Sequence, residues 1–468
     1  MAIRLFKHYW QLPLAVLAVI EALLLAGSPL LASWLLAQSV TSTADSSLLQ
    51  PHPGLVALFV LLNFLLMVAM GLYHARQRSG MLGLVMRIAL AFGLGWLLLA
   101  LLNLMLVQPR FDTRVLLLAT VLSGVAVSVA RLMFEKLVNE EWFKRRVVVF
   151  GAGRRAASIA QLRRRTDRRG FRILGYVAAE ADAGESIPLP DRLPADLDLT
   201  RYCRENLVDE IVVAMDDRRR SFPMDQLLVC RLDGVDITEL VSFLERETGK
   251  IRLDVLNPSW MIFSEGFRRG RIHVLLERIC DVLASVVLLL VTSPVMLLTM
   301  LAIKLEDGWG APVLYGQVRV GQRGQPFRVL KFRSMRIDAE SSGKAVWATP
   351  NDSRVTRVGS FIRKTRIDEL PQIINVLRGE MSFVGPRPER PEFAAQLEER
   401  IPYYRERHTL KPGITGWAQL CYPYGSSEQD AVEKLQYDLF YVKNHTLMFY
   451  FAIVLQTVEV VLWRKGSR

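Results

Sequence analysis

The C-terminal half of the chain contains the stretch RKTRIDELPQ, residues 363–372, in which two adjacent carboxylates stand among three cations. Apolar residues then recur at helical spacing up to Gly379, a typical helix stop. Pro371 suits a first helical turn because its missing N–H costs little there. The pattern predicts Asp368 at the N-cap, where backbone N–H groups and the helix dipole stabilise a carboxylate and attract phosphate. The stretch is either a capped, solvated helix start or a place where an ionised acid meets an anionic ligand.

Length and composition predict a multidomain membrane protein. The chain has 468 residues, a hydrophobic content of 51% and a net charge of +13. This excess of positive charge suits anionic lipid headgroups or phosphorylated substrates, whereas the hydrophobic content argues against nucleic acid. The four cysteines form no CxxC pair and no metal-ligand spacing, which is typical of reduced thiols in a protein facing the cytoplasm.

Residues 1–140 are predicted to form a four-helix transmembrane bundle. Each apolar run is near the ~20 residues that span a bilayer, and the runs are Leu12–Ala37, Gly54–Tyr73, Leu82–Val107 and Val115–Phe134. Lys and Arg precede the first run, separate the second from the third and follow the fourth, so both ends of the bundle are predicted to be cytoplasmic. Glu21 lies inside the first run and is either a packed contact or a functional group.

Residues 145–265 are predicted to form a Rossmann-like α/β domain. The run Arg146–Phe150 is followed by GAGRRA, residues 151–156, in the strand, glycine turn and helix order of a dinucleotide fingerprint. Further strands are predicted at Phe171–Val177, Glu210–Ala214 and Val235–Leu240. Arg154 and Arg155 stand where a dinucleotide would lie, so nucleotide binding and a structural or regulatory role both remain open.

A later apolar segment, Val282–Ile303, is long enough to cross a bilayer and is interrupted only by Thr292, Ser293 and Pro294. Cations flank it on both sides, so the charge rule does not favour a crossing. Proline removes a helical hydrogen bond, and a serine hydroxyl can satisfy the freed carbonyl. The segment is therefore either a re-entrant helix over about 275–303, broken at Ser293 and Pro294, or a fifth transmembrane helix with a kink.

The segment after residue 315 is rich in arginine and glycine. Lys331 and Arg333 alternate along a predicted strand, and Arg387 is held between two prolines. Arginines on short rigid loops suit bidentate recognition of diphosphate, although each alone is also an ordinary surface charge. No P-loop, HExxH or GxSxG motif occurs, so carboxylates are the nucleophiles available among these cations.

Four runs resemble, in the same order, the bacterial sugar transferases known as monotopic polyprenyl-phosphate phosphoglycosyl transferases, which prime exopolysaccharide synthesis. They are KFRSM (331–335), RKTRIDELPQ (363–372), SFVGPRPE (382–389) and KPGITGWAQ (411–419). The resemblance covers about 270–468, and the upstream bundle and α/β domain resemble the large form of the family. The expected fold class is membrane α plus α/β, with a C-terminal α/β catalytic domain and a re-entrant helix. The last helix, about Leu447–Trp463, is short for a span and is predicted to lie in the interface, with a C-terminal span as the alternative.

The resemblance implies a sugar-1-phosphate transferase of the undecaprenyl-phosphate glucose or galactose phosphotransferase type. Such an enzyme uses a UDP-sugar, undecaprenyl phosphate and Mg²⁺, and releases UMP through an aspartyl phosphosugar intermediate. It performs the first membrane step of exopolysaccharide, capsule or O-antigen synthesis. Its expected location is the bacterial inner membrane, as a multi-pass protein in contact with membrane lipids and with its catalytic domain on the cytoplasmic face.

The resemblance also assigns roles to individual residues. Asp368 matches the family's nucleophile and Glu369 its acidic partner, and both are expected to hold Mg²⁺. Arg366 stands where shorter members often have a small residue, which leaves its role open. Substrate binding is expected of five cations, Lys331, Arg333, Arg363, Arg366 and Arg387.

Two other functions remain as competitors. An ordinary membrane glycosyltransferase would transfer sugar without phosphate, although no DxD motif occurs near the acidic pair. A membrane redox sensor would use the GAGRRA turn and keep the C-terminal part as an interaction module. The sequence does not decide the sugar, the ligand of the middle domain or the oligomeric state, for which a homodimer is one possibility.

Overall fold

The computed structural model describes two compact units, Met1–Pro258 and Ser259–Arg468. The described residues are 2–5, 8–38, 51–70, 72–73, 81–105, 111–137, 144–162, 170–178, 187–194, 196–217, 222–264, 266–267, 270–336, 354–422, 425 and 427–462.

The first unit begins with an antiparallel hairpin, β1 (Ala2–Leu5) and β2 (His8–Gln11), followed by four helices. The helices are α1 (Leu12–Ala37), α2 (Pro53–Ala69), α3 (Met81–Met105) and α4 (Thr113–Leu137). Each of the four predicted runs therefore contains a helix. Three contain an apolar stretch long enough to cross a membrane, whereas α2, at 17 residues, is shorter.

Glu21 is a packed contact within this bundle. Its carboxylate lies 2.6 Å from Arg131 Nε, accepts a hydrogen bond from Arg131 Nη2 at 2.8 Å and also accepts one from the Tyr73 hydroxyl. Arg131 in turn donates to the Leu72 carbonyl at 2.6 Å. Both charged side chains are buried, so removing either partner would leave an uncompensated charge at a cost of about 3–5 kcal/mol. The contact joins α1 and α4 to the segment after α2.

The α/β part of the first unit is built on a five-stranded parallel sheet in the order β5-β4-β3-β6-β7. Its strands are β3 (Arg145–Phe150), β4 (Phe171–Val177), β5 (Arg192–Leu193), β6 (Glu210–Val213) and β7 (Asp236–Glu239). Its helices are α5 (Arg154–Ala160), α6 (Leu199–Glu205), α7 (Met224–Leu232) and α8 (Leu240–Thr248). The four predicted strands are present, and the two-residue β5 gave no sequence signal.

An acid of the same domain closes the glycine turn after β3. The Asp216 carboxylate accepts hydrogen bonds from the backbone N–H groups of Arg154 and Arg155 at 3.0 and 2.8 Å. A Cβ at Gly153 would lie 2.3 Å from Asp216 Oδ2, so glycine permits this approach. In a dinucleotide site such N–H groups face the pyrophosphate. The contact favours a structural role for this turn.

The second unit combines helices with two small sheets. The antiparallel hairpin of β8 (Leu314–Val320) and β9 (Pro326–Phe332) is one, and β10 (Ser382–Val384) paired in parallel with β11 (Gly413–Thr415) is the other. The helices are α9 (Pro258–Phe263), α10 (Arg271–Asp307), α11 (Arg357–Lys364), α12 (Gln372–Arg378), α13 (Pro391–Arg400), α14 (Trp417–Cys421), α15 (Glu428–Lys443) and α16 (Leu447–Leu462).

The long helix α10 contains the segment predicted to re-enter the membrane. Its 37 residues continue through Pro294, and apolar side chains such as Leu290 and Val291 are exposed along its middle. Ser293 Oγ donates to the Leu290 carbonyl at 2.9 Å, which is the carbonyl that the N–H of residue 294 would pair with in an ordinary helix. The hydroxyl therefore compensates for the proline, as predicted, and the helical backbone continues through both residues.

The first half of α10 is bound to the second unit by two charged residues. Arg278 donates to the last carbonyls of α12 at 2.5 Å each. Asp281 Oδ1 accepts from the Phe383 backbone N–H, the Ser382 hydroxyl and the Tyr450 hydroxyl, at 3.1, 3.1 and 2.7 Å. These contacts fix α12, β10 and α16 to one helix.

The far end of α10 contacts the same unit. Glu306 accepts from the backbone N–H groups of Arg357 and Val358 at 2.8 and 3.0 Å, so it caps the start of α11. Ile303 is buried against Phe332 of β9. Both ends of the helix that carries the apolar middle thus lie against a single unit.

The last helix, α16, has one buried face and one exposed apolar face. Tyr450 and Ile453 are buried, whereas Met448 and Phe451 are about half exposed. This pattern agrees with a helix that packs on the unit and offers its other face to an apolar medium. Residues 463–468, which follow this helix, lie outside the described residues.

Candidate active site

Asp368 and Glu369 lie in a 3₁₀ turn, Ile367–Glu369, just before α12. Arg366 starts the turn with φ of 60° and ψ of 14°, a left-handed conformation that is rare for a residue other than glycine or asparagine. The prediction of Asp368 as the N-cap is therefore wrong. Pro371 holds that position because the turn delays the α-helix to Gln372. Gly379 ends α12 with φ of 84°, as predicted.

Glu369 gathers three of the predicted cations around one oxygen. Lys331 Nζ lies 3.2 Å, Arg387 Nη2 3.5 Å and Arg366 Nη1 3.7 Å from Glu369 Oε1. Burial alone would raise the pKa of this carboxyl, but the attraction of the three cations outweighs it and holds the pKa at about 2. Glu369 is therefore a fixed anion that organises the positive side chains.

Asp368 has the opposite electrostatic environment. Its side chain is buried, and among the described residues its Oδ1 has no hydrogen-bond donor. Burial, followed by the neighbouring Glu369 charge, raises the pKa of Asp368, and Lys331, Arg366 and Arg363 oppose this rise only in part. Adjacent carboxyls whose pKa values move apart are typical of sites where the two acids have different tasks.

Asn375 of α12 places Lys331 beside Glu369. Its side chain is fully buried, accepts from the Leu330 backbone N–H at 2.9 Å and donates to the Arg328 carbonyl at 2.8 Å. These two bonds clip strand β9 onto the helix that follows the acidic turn. Lys331 of β9 is thereby held beside the Glu369 carboxylate.

The loop that carries Arg387 depends on close backbone contact. A Cβ at Gly385 would lie 2.3 Å from the Lys411 carbonyl oxygen, and one at Gly413 would lie 2.0 Å from the Gly385 nitrogen. Glycine is therefore required where the SFVGPRPE and KPGITGWAQ runs meet. This contact explains why the two motifs belong together in one site.

A buried ion pair, missed in the sequence, supports the same loop. Arg407 contacts Asp438 at 2.8 Å and donates to the Arg387 carbonyl at 3.1 Å and to the Tyr404 hydroxyl at 2.8 Å. The two charged residues lie far apart in sequence, with no local pattern that indicates their pairing. Burial, which would lower the pKa of Arg407, is outweighed by Tyr404 and Asp438, so the net pKa is raised.

Arg319 was also absent from the predicted site. Its guanidinium donates to the Pro388 carbonyl at 3.2 Å and lies 3.8 Å from the Glu389 carboxylate. Burial lowers its pKa, and nearby Arg387 adds to that effect against the opposing Glu389. Arg319 stands in the run VRVG, residues 318–321, which was the sequence signal that could have indicated its place in the site.

The two remaining predicted cations lie apart from Glu369. Arg333 is buried and pairs with Asp307 at the end of α10, at 2.6 Å. The side chain of Arg363, in the last turn of α11, has no hydrogen-bond or ion-pair partner among the described residues, and its charge lowers the pKa of Asp368. The structure thus brings Lys331, Arg366 and Arg387 to one oxygen, keeps Arg363 within electrostatic reach and pairs Arg333 with the end of α10.

Comparison with known proteins assigns families to two parts of the chain. Residues 272–464 match the bacterial sugar transferase family, and residues 68–221 match the family described as a CoA-binding domain. A relative from Xanthomonas campestris pv. campestris, named UDP-glucose:undecaprenyl-phosphate glucose-1-phosphate transferase, is 33% identical over 335 residues, or 69% of this chain and 67% of the relative. The chain belongs to the bacterial sugar transferase family.

Two other relatives differ in the sugar that their names carry. The Aeromonas hydrophila UDP-N-acetylgalactosamine-undecaprenyl-phosphate N-acetylgalactosaminephosphotransferase is 38% identical over 274 residues, 58% of this chain and 62% of the relative. The Escherichia coli (strain K12) UDP-glucose:undecaprenyl-phosphate glucose-1-phosphate transferase is 44% identical over 191 residues, 40% of each chain. The match therefore spans less than two thirds of either relative.

Proposed function

We propose that this protein transfers a sugar-1-phosphate from a UDP-sugar to undecaprenyl phosphate, with UMP as the leaving group. The observation that carries the proposal is the buried Asp368 Oδ1, which has no donor among the described residues and adjoins a carboxylate that gathers three cations. A carboxylate oxygen of raised pKa is a better nucleophile than an ordinary one. The names of the relatives support the same substrate class.

In the first step Asp368 Oδ1 attacks the β-phosphorus of the UDP-sugar. The new bond joins the aspartyl oxygen to phosphorus, and the bond between phosphorus and the bridging oxygen breaks to release UMP. In the second step a phosphate oxygen of undecaprenyl phosphate attacks the same phosphorus, and the aspartyl oxygen leaves. Arg363 and Arg387 stabilise the charge that spreads over the transferring phosphoryl group.

The acidic pair suits Mg²⁺, which takes oxygen ligands and binds through one or two carboxylates together with substrate phosphates. Asp368 and Glu369 would hold the ion, and Asp368 Oδ1 would stay free for attack on phosphorus. A bound Mg²⁺ would neutralise diphosphate charge and orient the two phosphoryl groups. Lys331 keeps Glu369 ionised throughout.

The aspartyl intermediate is tested without a lipid acceptor. The enzyme is incubated with a UDP-sugar, and the intact mass is compared with that of Asp368→Asn. The proposal requires a phosphosugar adduct on the wild type alone, with an equal amount of UMP. Release of UDP would indicate transfer of sugar without phosphate, and normal turnover by the variant would remove Asp368 from the mechanism. A panel of UDP-sugars in the same assay identifies the sugar.

We further propose that α10 returns to the cytoplasmic face rather than crossing the membrane. A straight helix of 37 residues would be about 55 Å long, enough to cross a bilayer. Its first half and its far end nevertheless bind the same unit, through Asp281 and Glu306 respectively. A return places the acidic pair at the headgroup plane, where the lipid phosphate lies.

The course of α10 is tested by labelling single cysteines in a cysteine-free protein. The substitutions are Arg271→Cys and Gly310→Cys. Arg271 is the first residue of α10 and Gly310 lies just beyond its last residue, and both positions are exposed. With a membrane-impermeant maleimide applied to intact spheroplasts, a re-entrant helix leaves both positions protected until the membrane is opened. Labelling at one end alone would demonstrate a crossing.

A further inference from the structure

Two histidines and a glutamate converge at the start of α10, away from the acidic pair. His273 and Glu277 are four residues apart on this helix and therefore share a face. His445 lies between α15 and α16, and its Nδ1 is 2.8 Å from His273 Nε2. Its Nε2 is 3.6 Å from Glu277 Oε1. One potential ligand atom from each residue lies within 4.8 Å of the others.

The cluster is buried and its hydrogen bonding is incomplete. Glu277 and His445 are 7% and 8% exposed, whereas His273 is partly open to solvent. The buried His445 Nε2 has no hydrogen-bond partner among the described residues. The two imidazoles face one another with nitrogens at hydrogen-bond distance, so a single proton at most lies between them. A buried nitrogen without a partner beside a carboxylate is an arrangement that a bound cation would complete.

The donor set selects the kind of cation. Two imidazole nitrogens and one carboxylate oxygen, with a fourth position open to water, match a zinc site with three protein ligands. Tetrahedral zinc bonds would place a ring nitrogen and a carboxylate oxygen about 3.4 Å apart, close to the 3.6 Å between His445 Nε2 and Glu277 Oε1. Rotation of the partly exposed His273 side chain would bring its ring nitrogen, which now lies beside His445 Nδ1, to the third position. Imidazole favours Zn²⁺, Co²⁺ and Ni²⁺, whereas Mg²⁺ prefers oxygen ligands alone.

We propose that His273, Glu277 and His445 form a metal site for a borderline divalent cation such as Zn²⁺, separate from the acidic pair. The metal would join the membrane-anchoring helix α10 to the connection between α15 and α16. Glu277 also accepts a hydrogen bond from the Ser382 hydroxyl at 3.4 Å. Ser382 begins β10, the strand that leads to the Arg387 loop, so the metal would hold the membrane helix and this strand together.

Direct metal binding tests the proposal independently of turnover. The full chain is purified without a histidine tag, stripped with a chelator and titrated with Co²⁺ in excess Mg²⁺. The expected result is one Co²⁺ per chain with the intense visible absorption of a four-coordinate site, displaced by Zn²⁺. His273→Ala and His445→Ala are each expected to weaken binding by at least about 100-fold, with a smaller loss for Glu277→Gln.

Two matched controls separate this site from other metal binding. His52→Ala removes an exposed histidine of the first unit and should leave Co²⁺ binding unchanged. Asp368→Asn should also retain it, so failure of the proposed reaction leaves the result intact. A wild-type titration with only the weak spectrum of six-coordinate Co²⁺ would overturn the proposal, as would wild-type affinity in both histidine variants. If a histidine variant unfolds, the wild-type Co²⁺ spectrum and the Co²⁺ affinity of Glu277→Gln decide whether the site exists.

Discussion

Glu369→Gln is the sharpest test of the electrostatic design, because it removes the anion that three cations share while keeping the size of the side chain. The pKa of Glu369 is about 2 against an ordinary value of 4.5. At 1.36 kcal/mol per unit this difference corresponds to about 3 kcal/mol in favour of the folded, ionised form. The side chain is 16% exposed, so solvent screening reduces this figure only modestly.

The lowered pKa of Glu369 fixes the direction in which the stability difference changes with pH. Because folding lowers the pKa, the contribution of Glu369 is fully present above pH 4.5 and is lost as the pH falls towards 2. Unfolding of both proteins is followed in detergent across this range. Glu369→Gln should be less stable by up to about 3 kcal/mol near neutrality, and the difference should narrow below pH 4.5. Glu399→Gln, on the exposed face of α13, is the control and should change little. A difference that does not depend on pH would refute the reasoning.

The same variant affects Asp368. The Glu369 charge is the second cause, after burial, of the raised pKa of Asp368. Removing that charge should lower the pKa, because the cations remain. The acidic limb of the pH profile for UMP release in a single turnover should then move to lower pH, even if the rate itself falls. An acidic limb that stays in place or moves upward would show that Glu369 does not control the nucleophile.

Three further substitutions test neighbouring parts of the site. Asp368→Asn should abolish UMP release. It should nevertheless raise the unfolding temperature at neutral pH, because the raised pKa of Asp368 makes the ionised carboxyl unfavourable to folding. This gain in stability should fade as the pH falls through the pKa of Asp368. Asp281→Ala should lower the free energy of unfolding by about 2–5 kcal/mol, since buried donors lose their acceptor, whereas Tyr450→Phe removes one hydrogen bond and should cost about 1 kcal/mol. Arg407→Lys keeps the charge but removes the guanidinium group that donates to the Arg387 carbonyl while pairing with Asp438. Because the Arg387 loop would then be less well positioned, kcat/KM should fall by up to about 100-fold, with little change in the pH profile.

Features encoded by local patterning could be predicted from the sequence. The bounds of α1 follow from an apolar run, and those of β4 from a β-branched and aromatic run between turn residues. Lys331, Arg366 and Arg387 were assigned to substrate binding because the runs that contain them resemble motifs of the family. Hydrophobic periodicity and charge clustering are properties of neighbouring residues, and one chain is enough to read them.

The features that the sequence analysis did not predict are ones that local patterning does not encode. The left-handed Arg366 shifts the helix start and displaces Asp368 from the N-cap, yet arginine gives no signal for positive φ. Arg333 stands two residues from Lys331, yet the two cations contact different elements. Arg333 pairs with Asp307 at the end of α10, whereas Lys331 pairs with Glu369 in the acidic turn. Asp216 stands 62 residues after Arg154, at the glycine turn. Each of these contacts depends on tertiary packing between distant segments.

The contacts of α10 give the membrane-anchoring helix a direct part in building the site. Its Arg278 holds the end of α12, which follows the acidic turn, and Glu306 caps α11, which carries Arg363. Asp281 holds the start of the strand that leads to Arg387. The elements that carry the proposed nucleophile and two proposed phosphate-binding cations are therefore bound to one helix. Because positioning within about an ångström governs phosphoryl transfer, the proposed mechanism requires that any shift of this helix in the bilayer change the geometry of the site. In that mechanism, anchoring and catalysis depend on the same set of buried polar contacts.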